Sequence, residues 1–298
     1  MKVLCFGSLN IDYTYKVEHF VKKGETLSSD ELNVFSGGKG LNQSVALSKA
    51  GVATYHAGAI GEDGRFLLEE LNDAGVNTEC VVVLPDMSSG NAIIQNDKDG
   101  DNCILLYGGA NQAITKEHVD IVLKKFQNGD FIVLQNEISE LSYIMERANQ
   151  IGMKIVLNPS PMNEKILKLP LEYVSYFVLN EVEASQILEN DIPNVNTGVK
   201  LAEALRERFP SAAIVLTMGG AGSVYVDEKE TVLQSVYRVQ TLDTTAAGDT
   251  FTGYFISGII RGLGTKESMD LASKAAAISV SRQGAAPSIP TLEEVEKF

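Results

Sequence analysis

Residues 243–249 read Asp243-Thr244-Thr245-Ala246-Ala247-Gly248-Asp249, and an apolar stretch of helical character, residues 251–260, follows at once. Small residues let a backbone come close to another molecule. The first turn of a helix carries free N–H groups and a partial positive charge, both suited to an anion. A carboxylate there would normally repel that anion. Asp249 makes chemical sense as a base working beside a reacting phosphate. From this segment alone it also fits the plainer role of an acidic cap on a helix start.

A second glycine-rich segment, Gly37-Gly38-Lys39-Gly40-Leu41-Asn42, leads into another helical pattern. Its glycines give the backbone freedom to wrap a polar ligand, Lys39 supplies charge, and Asn42 falls on the first turn. It does not have the GxxxxGK[ST] spacing of a phosphate loop. The first strand leads to Ser8-Leu9-Asn10-Ile11-Asp12, without a dinucleotide-binding GxGxxG, so a nicotinamide dehydrogenase is not supported. Asn10, Asp12, Asn42 and Glu137 together make a suitable set for a polyol, because amides and carboxylates share or accept hydrogen bonds from hydroxyl groups. Asn10 and Asp12 alone would read equally well as turn formers.

These residues need a scaffold, and the chain has the means to build one. Its 298 residues are 44% hydrophobic, enough for a sizeable core. A net charge of −14 argues against nucleic acid or an anionic membrane as partner, though not against an anionic small molecule in a local site. Cys5, Cys80 and Cys103 are far apart and without CxxC spacing, so neither a disulfide framework nor a zinc site is expected. His19, His56 and His118 are scattered and read as structural, which leaves a carboxylate as the expected general base. The N-terminal apolar run breaks at Asn10 and Asp12, too short for a signal peptide or membrane span. A cytoplasmic protein is therefore expected.

The chain opens with a strand over 3–7. Helices are expected over 40–51 and 62–75, with a strand over 53–59 between them. Four continuous apolar strands then stop at polar or glycine clusters: Phe131–Leu134 at Gln135-Asn136-Glu137, Ile155–Leu157 at Asn158, Tyr176–Leu179 at Asn180-Glu181, and Ala213–Leu216 at Thr217-Met218-Gly219. Such strands are buried on both faces, which predicts an α/β fold with a doubly wound, mostly parallel central sheet covered by helices on both sides. Ligands on such sheets bind beyond the carboxyl ends of the strands, where the polar clusters fall. Residues 12–36 and 91–107 differ, carrying short β-like runs around turn residues such as Asp97-Lys98-Asp99-Gly100. Helices are expected again over 249–262 and 265–283. A loop over 284–290 and a short acidic helix close the chain.

In this combination the chain resembles the ribokinase family, the phosphofructokinase-B-type carbohydrate kinases, nearly end to end. The stretch Gly37 to Gly51 (GGKGLNQSVALSKAG) fits the first family signature and Asp243 to Asp249 the second. Further landmarks in family order are Gly7-Ser8-Leu9-Asn10-Ile11-Asp12, Gly24-Glu25-Thr26, Gly109-Ala110-Asn111, Leu157-Asn158-Pro159-Ser160-Pro161, Asn180-Glu181-Val182-Glu183-Ala184 and Gly284-Ala285-Ala286-Pro287-Ser288.

The resemblance implies one kinase domain over 1–298, with a small β-sheet lid inserted as 12–36 and 91–107. It implies an ATP-dependent carbohydrate kinase that transfers the γ-phosphate to the terminal hydroxyl of a pentose, D-ribose giving D-ribose 5-phosphate being the first expectation. Asp249 corresponds to the catalytic base, and the N–H groups of Ala246, Ala247 and Gly248 to the anion hole. Such preorganised donors are typically worth about 3 kcal/mol each. Asn10, Asp12, Gly38, Lys39, Asn42 and Glu137 correspond to the sugar-binding positions. Asn180 and Glu183 match a motif that organises Mg2+ and phosphate. Thr217, Gly219 and Gly222 match the nucleotide loop, and Ser273 a position near adenine.

The resemblance also implies an activating monovalent cation, K+, held by Asp243 with oxygens of Thr245, Ser279, Arg282, Gly284 and Ser288. Asp243 read by itself is equally a turn residue. A homodimer through the lid is implied as well. Two departures bear on specificity. Tyr254 stands where the second signature continues with a small residue, and is expected to crowd the helix or the packing near the nucleotide. Asn91 and Gln95 replace apolar or small residues in a lid segment that touches the sugar in relatives, with Leu106 nearby. A kinase of deoxyribose, fructose or a nucleoside, and a catalytically silent sugar-binding regulator, are the alternatives.

Overall fold

Successive residues of the first strand, β1 (Val3–Phe6), enter two different cores: Leu4 and Phe6 one, Val3 and Cys5 the other. A strand without a polar face must be covered on both sides, and the fold follows from that requirement. The computed structural model describes residues 1–99, 101–189 and 198–298. In chain order the strands and helices are β1, β2 (Asn10–Lys16), β3 (Glu31–Gly37), α1 (Lys39–Lys49), β4 (Thr54–Ile60), α2 (Arg65–Asp73), β5 (Asn77–Val83), β6 (Gly90–Asn96), β7 (Asn102–Tyr107), α3 (Lys116–Leu123), β8 (Phe131–Gln135), α4 (Leu141–Ile151), β9 (Lys154–Asn158), β10 (Val174–Asn180), α5 (Glu181–Ile187), α6 (Gly198–Arg208), β11 (Ala213–Thr217), β12 (Ser223–Val226), β13 (Thr231–Gln234), α7 (Ala247–Ile260), α8 (Thr265–Val280) and α9 (Leu292–Lys297).

Nine strands form one sheet in the order β13-β12-β11-β10-β9-β8-β1-β4-β5. Pairing is parallel from β11 to β5, and β12 and β13 add an antiparallel edge. Helices α1, α2, α7, α8 and α9 contribute to the core on one face, and α3, α4, α5 and α6 to that on the other. This is the doubly wound arrangement anticipated from the apolar runs. The winding reverses at β1, which has β4 on one side and β8 on the other. Ligand sites open at such a switch point, beyond the carboxyl ends of the strands. Here those ends are Gly7-Ser8 and Gln135-Asn136-Glu137.

The lid is a separate four-stranded sheet, β3-β2-β6-β7. Its strands run one or two residues further toward the body than the alternation alone suggested, beginning at Asn10 and Gly90 and ending at Gly37 on β3. The expected turn after Asn96 keeps Asp97 N–H bonded to Asp101 O, while its Gly100 lies outside the described residues. The expected helix over 62–75 divides into a short 3-10 turn, Glu62–Gly64, and α2, and the helix begun at residue 265 ends at Val280. Among the described residues no helix is long and apolar enough to cross a membrane.

Candidate active site

The glycine loop lies directly on the end of β1. A Cβ on Gly40 would stand 2.5 Å from Ser8 N, and one on Gly38, at φ +94°, 2.9 Å from Ser8 O. Only glycine permits this approach. Leu41 N–H then donates to Ser8 O at 3.0 Å, and Gly40 N–H to Ser8 Oγ at 3.3 Å. The contact fixes the first turn of α1 over the loop that carries Asn10. Glu137, just past β8, closes the group: its Oε2 accepts from Ser8 Oγ and from Lys39 N–H.

Asn10 is buried, and its Oδ1 accepts from Asn111 Nδ2 at 2.8 Å. Asn111 also exchanges hydrogen bonds with the backbone of Leu9, so it splints the whole Ser8–Asn10 loop. Asp12 follows on β2, with its carboxyl pushed up to about 7 by burial and by the charge of Glu137. Glu137 is itself raised, burial outweighing the help of Ser8 and Lys39. For Lys39 burial opposes the charged form, but the carboxylates of Asp249, Glu137 and Glu183 outweigh it and the pKa is raised. One cation thus sits among three carboxylates drawn from different parts of the chain.

Asp249 lies in the first turn of α7, buried. Its Oδ2 accepts from Asn42 Nδ2 at 3.2 Å and its Oδ1 from Gln43 Nε2 at 2.8 Å. The turn before it is strained: Ala246, a non-glycine residue, has φ +58°. Such a conformation costs of order 1 kcal/mol or more and concentrates at functional sites. It lets Ala247 N–H close onto Thr244 O at 3.3 Å and starts the helix there. The next amides, Gly248 and Asp249, have no acceptor within the helix, by its geometry. Asn42 Oδ1 is buried with no partner among the described residues, an acceptor suited to a hydroxyl donor.

Two cavities meet at this helix start. One, of about 200 Å³, is lined by Lys39, Asn180, Glu183, Gly248 and Asp249 among others. The other, of about 600 Å³, holds Thr217, Gly219, Gly222 and Ser273 at its walls, with Val239 and Phe251 making it largely apolar. Both are lined by Thr217, Thr244, Ala247 and Gly248, so the small polar chamber continues into the larger one. Their sizes and linings suit a phosphate chain in the first and a base and ribose in the second. Asn180 and Glu183 form a reciprocal capping box at α5: Glu183 N–H donates to Asn180 Oδ1 at 2.9 Å and Asn180 N–H to Glu183 Oε2 at 3.0 Å. The box accounts for one Glu183 oxygen and aims the carboxylate into the chamber wall.

The six expected cation ligands fall on the segment before α7, in the last turn of α8 and on the stretch that follows it. Asp243 accepts from Thr245 N–H and Oγ1 and from Gly284 N–H. Ser279 and Ser288 pair through their hydroxyls at 2.9 Å. The Arg282 side chain leaves the group for Glu294, so only its main-chain oxygen is available. These donors are all oxygens, which fits a hard cation.

Two expectations are corrected. Tyr254 does not crowd the nucleotide: it is fully buried in the core, and its hydroxyl donates to Pro290 O at 2.7 Å. Asn91 and Gln95 do not face the sugar position. Pairing puts Ala92 beside Asp12, and Leu106 beside Ala92, on one face; the pleat turns Asn91 and Gln95 to the other, with Ile11 and Tyr15. Gln95 there accepts Val21 N–H at 3.1 Å. Three residues of the site escaped the sequence reading: Ser8, Asn111 and Gln43. A polar Gln43 among apolar helix positions was the available signal for the last.

The family model of pfkB family carbohydrate kinases matches residues 1–292. The ribokinase of Staphylococcus aureus is 33% identical over 302 residues, covering 99% of each chain. The crystal structure of ribokinase from Thermotoga maritima, at 33% identity, has a TM-score of 0.87 over 99% of this chain and 98% of its own. Arabidopsis thaliana ribokinase complexed with ribose and ATP, at 28% identity, has a TM-score of 0.86 over 99% of this chain and 97% of its own.

Proposed function

The chain belongs to the pfkB family of carbohydrate kinases, and from that premise we propose that it is an ATP-dependent ribose kinase making D-ribose 5-phosphate. The observation that carries this reading is the placement of Asp249 in the wall of a polar chamber that continues into a cavity of nucleotide size. The sugar lies among Asn10, Asp12, Gly38, Lys39, Asn42 and Glu137, and ATP along Thr217, Gly219, Gly222 and Ser273. Asp249 takes the proton from the terminal hydroxyl as that oxygen bonds to the γ-phosphorus. The bond from phosphorus to the bridging oxygen breaks, and ADP leaves with the electron pair. The amides of Ala246 and Gly248 hold the charge on the transferred group, and that of Ala247 joins them by leaving Thr244 O, its acceptor at 3.3 Å. Phosphoryl transfer needs positioning and neutralisation more than covalent help, and these residues supply both. The lid excludes water, which would otherwise accept the phosphate.

Asn180 and Glu183 would organise Mg2+ through water, and the ion supplies neutralisation of the phosphates; a carboxylate at the chamber wall suits a cation that keeps part of its hydration shell. K+ would sit with Asp243 and the oxygens of Thr245, Ser279, Arg282, Gly284 and Ser288. We read the chain as one kinase domain with the lid inserted, acting in the cytoplasm as a homodimer paired through the lid. Support for the dimer is the exposure of Leu32, Val34, Leu105 and Tyr107 on that sheet. Support for a reducing compartment is that Cys5, Cys80 and Cys103 are free.

A coupled ADP assay on a panel of sugars tests the activity. Ribose is expected to be turned over best; no turnover of ribose beside clear turnover of another sugar overturns the assignment.

A further inference from the structure

Behind Asp249 lie two buried amides, Gln43 and Gln135, neither of which lines the polar chamber or the nucleotide cavity. Gln43, fully buried on α1, donates from Nε2 to Asp249 Oδ1 at 2.8 Å and to Asn158 Oδ1 at 3.2 Å. Its Oε1 accepts from Gln135 Nε2 at 2.7 Å. Gln135, also fully buried, makes a looser contact from Nε2 to Cys5 Sγ at 3.5 Å, and its own Oε1 has no partner among the described residues. Gly7 makes room for it: a Cβ there would stand 2.2 Å from Gln135 Oε1.

We propose that Gln43 is a positioning residue for the phosphoryl transfer, aiming the Asp249 carboxylate at the sugar hydroxyl, with Gln135 locking the orientation of the Gln43 amide. This rests on the reading of Asp249 as the base. The polarity of both amides is set at the carboxylate end. An oxygen of Gln43 turned toward Asp249 would meet a like charge density, so the NH2 must face it. Gln43 Oε1 then faces Gln135, which must present its own NH2. Gln135 does so although its carbonyl is left unpaired, and an unpaired buried acceptor is costly. Apolar side chains would fill this space without that cost. The arrangement makes sense if its product is the fixed direction of one carboxylate, since a small misplacement of a reacting group loses much of the rate.

The test compares Asp249→Asn, Gln43→Met and Gln135→Met in steady-state kinetics, with ribose binding measured calorimetrically on each. Gln43→Met is expected to lower kcat roughly ten- to hundredfold, the worth of a hydrogen bond to a charged group. Its KM for ribose should stay within about threefold, since Gln43 does not line the pocket. Gln135→Met is expected to lower kcat by a smaller factor; it removes one unpaired acceptor, its own Oε1, and leaves another, Gln43 Oε1, so the number of unpaired buried acceptors does not rise. Normal kcat in Gln43→Met beside an inactive Asp249→Asn overturns the proposal and leaves the base assignment standing. A rise in KM as large as the fall in kcat reduces Gln43 to a structural role and overturns it too. Near-normal kcat in Asp249→Asn removes the base, and the proposal with it. Should Gln43→Met bind no ribose, Gln135→Met decides, and unchanged kcat in that variant overturns the lock.

Discussion

Gly284 N–H donates to Asp243 Oδ2 at 2.9 Å, joining residues forty-one positions apart in the chain. The other oxygen, Oδ1, accepts from Thr245 N–H at 2.9 Å and Thr245 Oγ1 at 2.6 Å. Burial disfavours the charge on Asp243, but these three donors outweigh it and hold the carboxyl below its ordinary range. One carboxylate thereby ties the segment before α7 to the loop after α8. The far side of that loop is fixed by Arg282 with Glu294 and by Lys49 Nζ on Ile289 O at 2.8 Å.

If a monovalent cation completes this joint, activity responds to the ion itself. At constant ionic strength kcat/KM should rise in K+ above its value in a large organic cation. Asp243→Ala should abolish the difference. Steady-state rates in the two salts check this; equal rates for the unmodified protein would remove the cation.

Asp249→Asn keeps the shape of the site and removes the base. A general base typically contributes between about a hundredfold and ten-thousandfold, so kcat should fall by that order. Ribose affinity should survive, because Asn10, Asp12, Lys39 and Glu137 are untouched. Single-turnover rates and calorimetric binding together check it, and a kcat close to normal would refute the assignment.

The central strands were legible because burial on both faces writes a continuous apolar run, as in Phe131–Leu134. Residues 243–249 were legible for a related reason: small residues, a helix start and a carboxylate are a local pattern. Edge strands such as β5 and β13 were not singled out, since half-exposed strands mix polar and apolar residues. The partnership of Gln43 with Asp249 spans 206 positions. A hydrogen bond across such a distance leaves no local spacing to read, only a polar residue where the helix face is otherwise apolar. The side of the lid on which Asn91 lies depends on register, and a shift of one residue exchanges the two faces.

Tyr254 acts on the core and not on the substrate. Tyr254→Phe removes a buried hydroxyl and leaves Pro290 O without its donor. A loss of about 1–2 kcal/mol in stability is expected, read from urea unfolding. The Michaelis constants for ATP and ribose should not change. A change in the ATP constant larger than about twofold would bring Tyr254 back to the nucleotide site.

Strand β7 is exposed along its whole length, with Leu105 and Leu106 on opposite faces of the lid. The double change Leu105→Lys with Leu106→Lys puts charge on both faces, and sedimentation should shift from dimer to monomer. An unchanged sedimentation coefficient would place any dimer interface elsewhere.

With Asp12 in the proposed sugar site, ribose binding should depend on pH. Its carboxyl is pushed up to about 7 by burial and by Glu137, so near neutrality part of the sugar-free protein holds a proton there. The unfolded chain loses that proton near pH 4. Between about pH 4 and 7 the folded state therefore binds more protons than the unfolded one, and this group's contribution to stability falls as pH rises. Sugar hydroxyls donate to the ionised form and favour it. Ribose should bind more tightly above pH 7 than at pH 6, and binding near pH 7 should release a fraction of a proton. Calorimetry in two buffers of different ionisation enthalpy measures that release. Asp12→Asn should abolish it, flatten the affinity profile and remove the decline in stability. A release that persists in Asp12→Asn would assign the proton to Glu137, whose carboxyl burial also raises.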